Sequence, residues 1–223
     1  MLINAQFDQR VAVHADPINW IASPMQGVDR HMLDRIGAES GHATSIVRYA
    51  PGSSFSPHTH DGGEEFIVLE GVFQDEHGDY PPGTYVRNPP TSSHTPGSEQ
   101  GCTIFVKLWQ FDPDDRTQIA VDTNSSEFAT DANNPAIKTL SLFKDDRENV
   151  RIEQWQAGQT ICLSGPDGME ILVLAGGFEE SGETFGKYDW LRLPRGYTST
   201  VVARDSGATV WVKTGNLAET PSS

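Results

Sequence analysis

Two of the chain's seven histidines lie close together in the run Gly52-Ser-Ser-Phe-Ser-Pro-His58-Thr-His60-Asp-Gly-Gly-Glu64. At i and i+2 of an extended segment both imidazoles project from one face, so two ring nitrogens converge on one point. Gly62-Gly63 supplies a tight reversal that can bring a carboxylate from the next strand back to that point, and a Pro-Pro turn further on leads to His94. Three neutral imidazoles and one carboxylate suit a borderline divalent cation. His58, His60, Glu64 and His94 are therefore the candidate metal ligands. His14, His31, His42 and His77 share no such spacing and read as ordinary polar or surface histidines.

The elements needed to hold these residues are short strands. With 21 glycines, 14 prolines and no sustained apolar spacing of 3.6 residues, the composition points to an all-β class. β-rich runs bounded by Gly, Pro, Asn or Ser fall at 44–49, 65–69, 84–87 and 103–109, and again at 150–155, 170–174, 190–193 and 209–213. The polar stretch 112–136 reads as the connection between the two halves. Before residue 40, the segment 27–36 reads as an edge strand or a short helical turn.

The halves repeat one another. Glu64-Glu-Phe-Ile-Val-Leu-Glu-Gly-Val-Phe73 lies over Met169-Glu-Ile-Leu-Val-Leu-Ala-Gly-Gly-Phe178 with five of ten positions identical. The same offset places Arg87 on Arg192 and Pro89 on Pro194, and one residue more places Val106-Lys107 on Val212-Lys213. Two domains are expected, 1–115 with the metal ligands and 116–223 without them. In the second half His58, His60 and His94 fall on Leu163, Gly165 and Ser199.

The pattern Gly-x5-His-x-His-x3-Glu-x6-Gly, from Gly52 to Gly71, resembles the first motif of the cupins. Gly83-x5-Pro89-x4-His94 resembles the second, with Thr91 where the family usually has glycine. The runs from His60 to Phe73, Gly78 to Pro90 and Gly101 to Lys107 are similar to the cupin domain of ChrR-type anti-sigma factors. That resemblance implies two tandem jelly-roll (double-stranded β-helix) barrels, the first with a zinc site whose four ligands match His58, His60, Glu64 and His94; iron, manganese and nickel are the alternatives. Glu65 is the rival ligand, since some cupins place the glutamate one residue later. Glu65 has a counterpart in Glu170 whereas Glu64 faces Met169, so a carboxylate retained where the histidines are absent reads as structural and Glu64 is favoured. The second barrel is expected to be metal-free, a packing partner or, as the alternative, a small-molecule pocket.

By the same resemblance the chain is expected to be a zinc-bearing regulatory or sensor protein, with a small-molecule ligand in the first barrel. Only about 40 residues precede that barrel and the first cysteine is Cys102, so the helical sigma-binding domain of ChrR-type proteins has no counterpart and direct sigma-factor binding is not expected. The alternative is a ferrous dioxygenase similar to the small cupins that cleave acetylacetone or dihydroxyacetophenone. No general base is assignable. Self-association is expected by analogy with cupins.

The formal charge of −15 argues against nucleic acid or an anionic membrane as partner. No basic-then-apolar opening and no run of about 20 apolar residues occurs, so a cytoplasmic location is expected. Cys102 and Cys162 form no CxxC pair and are expected to be buried small residues.

Overall fold

A computed structural model describes residues 1–38 and 41–217, and no helix occurs among them. In chain order the strands are β1 (Leu2–Ile3), β2 (Val11–Val13), β3 (Ile21–Ala22), β4 (Val28–Ile36), β5 (Ala43–Tyr49), β6 (Ser53–Ser54), β7 (His58–Thr59), β8 (Glu64–Gly71), β9 (Phe73–Asp75), β10 (Gly78–Tyr80), β11 (Thr84–Asn88), β12 (Ser93–His94), β13 (Gly97–Ser98), β14 (Cys102–Leu108) and β15 (Ile119–Asp122). They continue with β16 (Ala129–Thr130), β17 (Ile137–Lys144), β18 (Glu148–Trp155), β19 (Thr160–Ser164), β20 (Met169–Glu180), β21 (Glu183–Phe185), β22 (Trp190–Leu193) and β23 (Thr198–Gly215). Every run expected from composition falls on a strand, and only Trp109, with a left-handed φ of 60°, drops off the end of its own.

Two compact units form. One comprises Met1–Ala5 and Asn19–Ser126; the other comprises Gln6–Ile18 and 127–217. The first contains an antiparallel sheet in the order β1-β4-β5-β14-β8-β11-β15, with β3 on β4, together with the smaller sheets β10-β9-β13-β6 and β12-β7. The second contains the sheet β16-β17-β18-β23-β20-β22-β2, with β19 on β23 and β21 on β20. Each unit has an apolar core set by strand alternation. Phe66, Val68, Val86, Ile104 and Val106 fill the first, and Ile171, Val173, Phe178, Leu191 and Val210 fill the second.

The division differs from one at 115/116. The stretch 112–136 is not a bare connection, because β15 within it pairs with β11, Arg87 opposite Ile119. The segment Gln6–Ile18 belongs to the second unit, where β2 pairs with β22, Val11 opposite Arg192. One tripeptide opens both segments, Gln6-Phe7-Asp8 and Gln110-Phe111-Asp112. Its phenylalanine does the same work twice: the Arg87 guanidinium lies 3.9 Å from the Phe111 ring centroid and that of Arg192 lies 3.9 Å from Phe7. The region 27–36 is neither an edge nor a helical turn but the nine-residue β4, paired on one side with β5 and on the other with β1 and β3.

Two further expectations are corrected. Cys102 is buried, but Cys162 is exposed, because β19 turns Ile161 and Leu163 inward and the residue between them outward. His77 is on the surface and His14 half-exposed, whereas His31 and His42 are buried, His42 Nε2 lying 3.5 Å from Asp34 Oδ1. Among the described residues no helix is long and apolar enough to cross a membrane.

Candidate metal centre

His58 on β7 and His94 on β12 are directly opposite each other in a two-stranded ladder. The backbone of His60 extends the contact, donating to the Ser92 carbonyl at 2.9 Å and accepting from Thr91 N–H at 3.0 Å. The three imidazoles form a triangle with ring centroids 4.9, 4.9 and 4.7 Å apart, each pair edge to face. One ring nitrogen from each lies within 4.8 Å of the others.

The Gly62-Gly63 reversal leads from His60 into β8, with Gly63 at φ 75°. Trp109 and Phe111 N–H groups donate to the Gly63 and Gly62 carbonyls at 3.1 and 3.3 Å, and a methyl group added at either glycine would overlap the Trp109 or Phe111 side chain. Glu64, the first residue of β8, then points at the histidines, with Oε2 3.4 Å from His60 Nε2 and 3.8 Å from His94 Nε2. Glu65 faces the other way, as strand alternation demands, and accepts a 2.7 Å hydrogen bond from Tyr85 Oη. It sits opposite Arg87 on one side and Lys107 on the other; Glu170, between Arg192 and Lys213, repeats that arrangement in the second unit. There Leu163 and Met169 are packed in the apolar core and Ser199 donates its hydroxyl to Glu180.

Three supporting residues were not singled out from sequence. Asn88, opposite Glu64 across β8 and β11, donates to Glu64 Oε2 at 3.2 Å and accepts from Gln118 Nε2 at 3.4 Å. Asp75 Oδ2 lies 3.2 Å from His94 Nδ1 and so holds the far side of that ring. A polar residue on the inward phase of β11, two places after Val86, was the available signal for Asn88. For Asp75 and Gln118 the chain offers none, since their partners are 19 and 30 residues away.

The donors fit a divalent cation. His60 Nε2 is buried without a hydrogen bond, and burial, with His58 adding to it, pushes the His60 imidazole down to about 4. Burial also lowers His94, against the pull of Glu64, and raises Glu64, against the pull of His94. Neutral imidazoles keep their lone pairs near pH 7, and a carboxylate that burial disfavours as an anion gains from a neighbouring cation. His58 is exposed while His60, Glu64 and His94 are buried, so the cluster opens on one side. It opens into a cavity of about 430 Å³ whose lining includes His58, His60, Glu64, Phe55, Leu108 and Trp109.

Comparison with known proteins agrees with this architecture. Residues 8–112 match the ChrR cupin-like domain family. A Nostoc punctiforme protein with a provisional dioxygenase designation superposes with a TM-score of 0.78 at 15% identity, over 95% of this chain and 85% of that one. The Escherichia coli protein YlbA gives 0.71 at 14% identity, covering 95% and 93%. A single-residue variant of oxalate decarboxylase from Bacillus subtilis gives 0.63 at 10% identity, covering 92% and 76%. These likenesses establish the fold. No curated protein sequence matches the chain.

Proposed function

Residues 8–112 of this chain match the ChrR cupin-like domain family, and from that match we propose that the first unit is a zinc-bearing sensor domain that takes a small molecule in the cavity beside its metal ligands. The observation that carries this reading is the convergence of His58, His60, Glu64 and His94, the first three of which line that cavity. Zinc is satisfied by four N and O donors in a tetrahedral set, which matches three imidazoles and one carboxylate. When bound, the ion supplies a Lewis-acidic anchor for a ligand oxygen. The protein's own share is positional. Asn88 holds the Glu64 carboxylate, Asp75 holds the His94 ring, and the ladder between β7 and β12 fixes His58 against His94.

A second reading has its own support. Ferrous ion prefers more than four donors, so the same set would leave positions open, and the apolar side chains around the cavity would restrict water. The provisional dioxygenase designation of the Nostoc protein points the same way. In that case the chain acts as a small-molecule dioxygenase.

Elemental analysis of untagged protein, wild type against His60→Ala, tests both. About one zinc per chain, lost in the variant, supports the sensor; iron, together with dioxygen uptake on adding acetylacetone that zinc replacement abolishes, supports the oxygenase. Absence of metal from the wild type, or metal retained in the variant, overturns the site.

A further inference from the structure

The strand register gives the cavity beside the candidate metal centre an apolar floor. Ala43, Ser45 and Val47 of β5 stand opposite Leu108, Val106 and Ile104 of β14, and the two-residue period points all six into it. Val47, Ile104 and Val106 also belong to the core of the first unit, with Leu108 packed against it. The cavity is thus a stretch of core face left open. Its charged wall residues are Arg30, Arg35, Asp61 and Glu64, two of each sign, and Arg35 already donates to the Ala38 carbonyl. These groups set no net charge for a ligand to answer, and the floor favours an apolar body.

Trp109 stands at the rim of this cavity, 43% exposed, although tryptophan is highly buried on average. Its φ of 60° lies in the left-handed region, which a bulky residue adopts only where its surroundings hold it. Two features hold it. Its N–H donates to the Gly63 carbonyl at 3.1 Å, and the bare α-carbon of Gly62 lies against the indole, where a methyl group would overlap Cγ, Cδ2 and Cε3. Met25, 45% exposed, lines the same cavity from the turn between β3 and β4. Backbone strain of this kind clusters at ligand clamps, and here it fixes a large aromatic surface at a cavity mouth.

We propose that Trp109 is the specificity-determining residue of this cavity, an aromatic wall against which a flat, uncharged and largely apolar molecule lies, its body over Val47, Ile104 and Leu108 and its one oxygen toward His58, His60 and Glu64. This deepens the small-molecule reading above, and only the oxygen contact rests on the metal. A cavity of about 430 Å³ lies within the range of small-molecule sites and admits a fused pair of aromatic rings with a short substituent. Aromatic pairing adds to what burial alone supplies, so flatness is selected as well as apolarity.

The test is calorimetric titration of the full chain with 2-naphthylmethanol, its saturated decahydro counterpart, 2-naphthoate and 2-naphthylmethylamine, with metal content measured on every sample. The flat alcohol is expected to bind tightest, ahead of both ions and ahead of the saturated alcohol by about two- to tenfold, the size of an aromatic pairing. The ratio between the two alcohols should fall to about one in Trp109→Leu and persist in Trp109→Phe, which keeps a ring at the position. Equal binding of the two alcohols, tighter binding of the acid or the amine, a ratio unchanged in Trp109→Leu, or binding by none of the set overturns the proposal. A sample without metal that still prefers the flat alcohol through Trp109 sinks the metal reading and leaves this one standing; a metal-loaded sample indifferent to flatness does the reverse.

Discussion

His94 is held from behind by Asp75, Nδ1 to Oδ2 at 3.2 Å, while its Nε2 faces Glu64. Asp75 is itself fixed, accepting from Tyr80 Oη at 3.2 Å and from the His77 N–H at 2.8 Å. Such a carboxylate sets the tautomer and angle of a ligating imidazole. Asp75→Asn should weaken metal affinity about 10- to 100-fold with little change in unfolding midpoint, read by competition against a chromogenic chelator. Unchanged affinity would mean that Asp75 only ties the β9–β10 hairpin.

Adjacent glutamates on β8 should separate cleanly. Glu64→Gln removes a charge from the histidine cluster and is expected to lower metal content. Glu65→Gln should leave metal content unchanged but lower stability by on the order of 3 kcal/mol, because it strips charge from a buried group placed between Arg87 and Lys107. Elemental analysis and denaturant unfolding of the two variants give both readouts.

Thr91 has a φ of 75°, in the left-handed region that a β-branched residue rarely adopts. It stands in the turn between Pro90 and the strand that carries His94, at the place where cupins usually have glycine. Thr91→Gly should raise stability by about 1 kcal/mol, the relief of strain exceeding the entropy cost of glycine. Unfolding in urea checks the sign.

A pH effect belongs to the second unit. The His14 imidazole is raised above its ordinary 6.5 chiefly by its hydrogen bond to Asp189, with Glu183 adding to it and burial opposing. Phe185 packs against the ring, and Arg10 pairs with Glu183 and Glu180 beside it. A raised folded value means the native state binds the proton more tightly, so this contribution is complete below pH 6.5 and fades as pH rises through the folded value. His14→Gln should remove that fall in stability, measured by melting between pH 6 and 9.

The chain announced its strands and its histidine cluster because both are local facts. Val86 and Asn88 alternate with Tyr85 and Arg87 in four consecutive letters, and His58-Thr-His60 needs only a two-residue period to converge. What it concealed depends on partners far along the chain. Nothing around Val11 says that Arg192 is its neighbour, and the shared Gln-Phe-Asp that marks the two leading segments is too short to stand out among 223 residues. The shift between Met32 and Asp34 is likewise invisible in the letters. Cys162 was misplaced for a simpler reason: composition assigns cysteine to the interior, while its alternation with Ile161 and Leu163 assigns it to the surface.

The segment Gln6–Ile18 belongs to the second unit, and its pairing of Val11 with Arg192 has a consequence in time. During synthesis this strand leaves the ribosome well before the rest of its unit, and its partner follows only after some 180 more residues, roughly 10 to 40 s at ordinary elongation rates. The first unit, whose sheet can close once Asp122 is out, completes itself in the interval. The second must recover a strand made long before, so a cut or deletion within Gln6–Ile18 would be felt in a unit whose other strands are made far later.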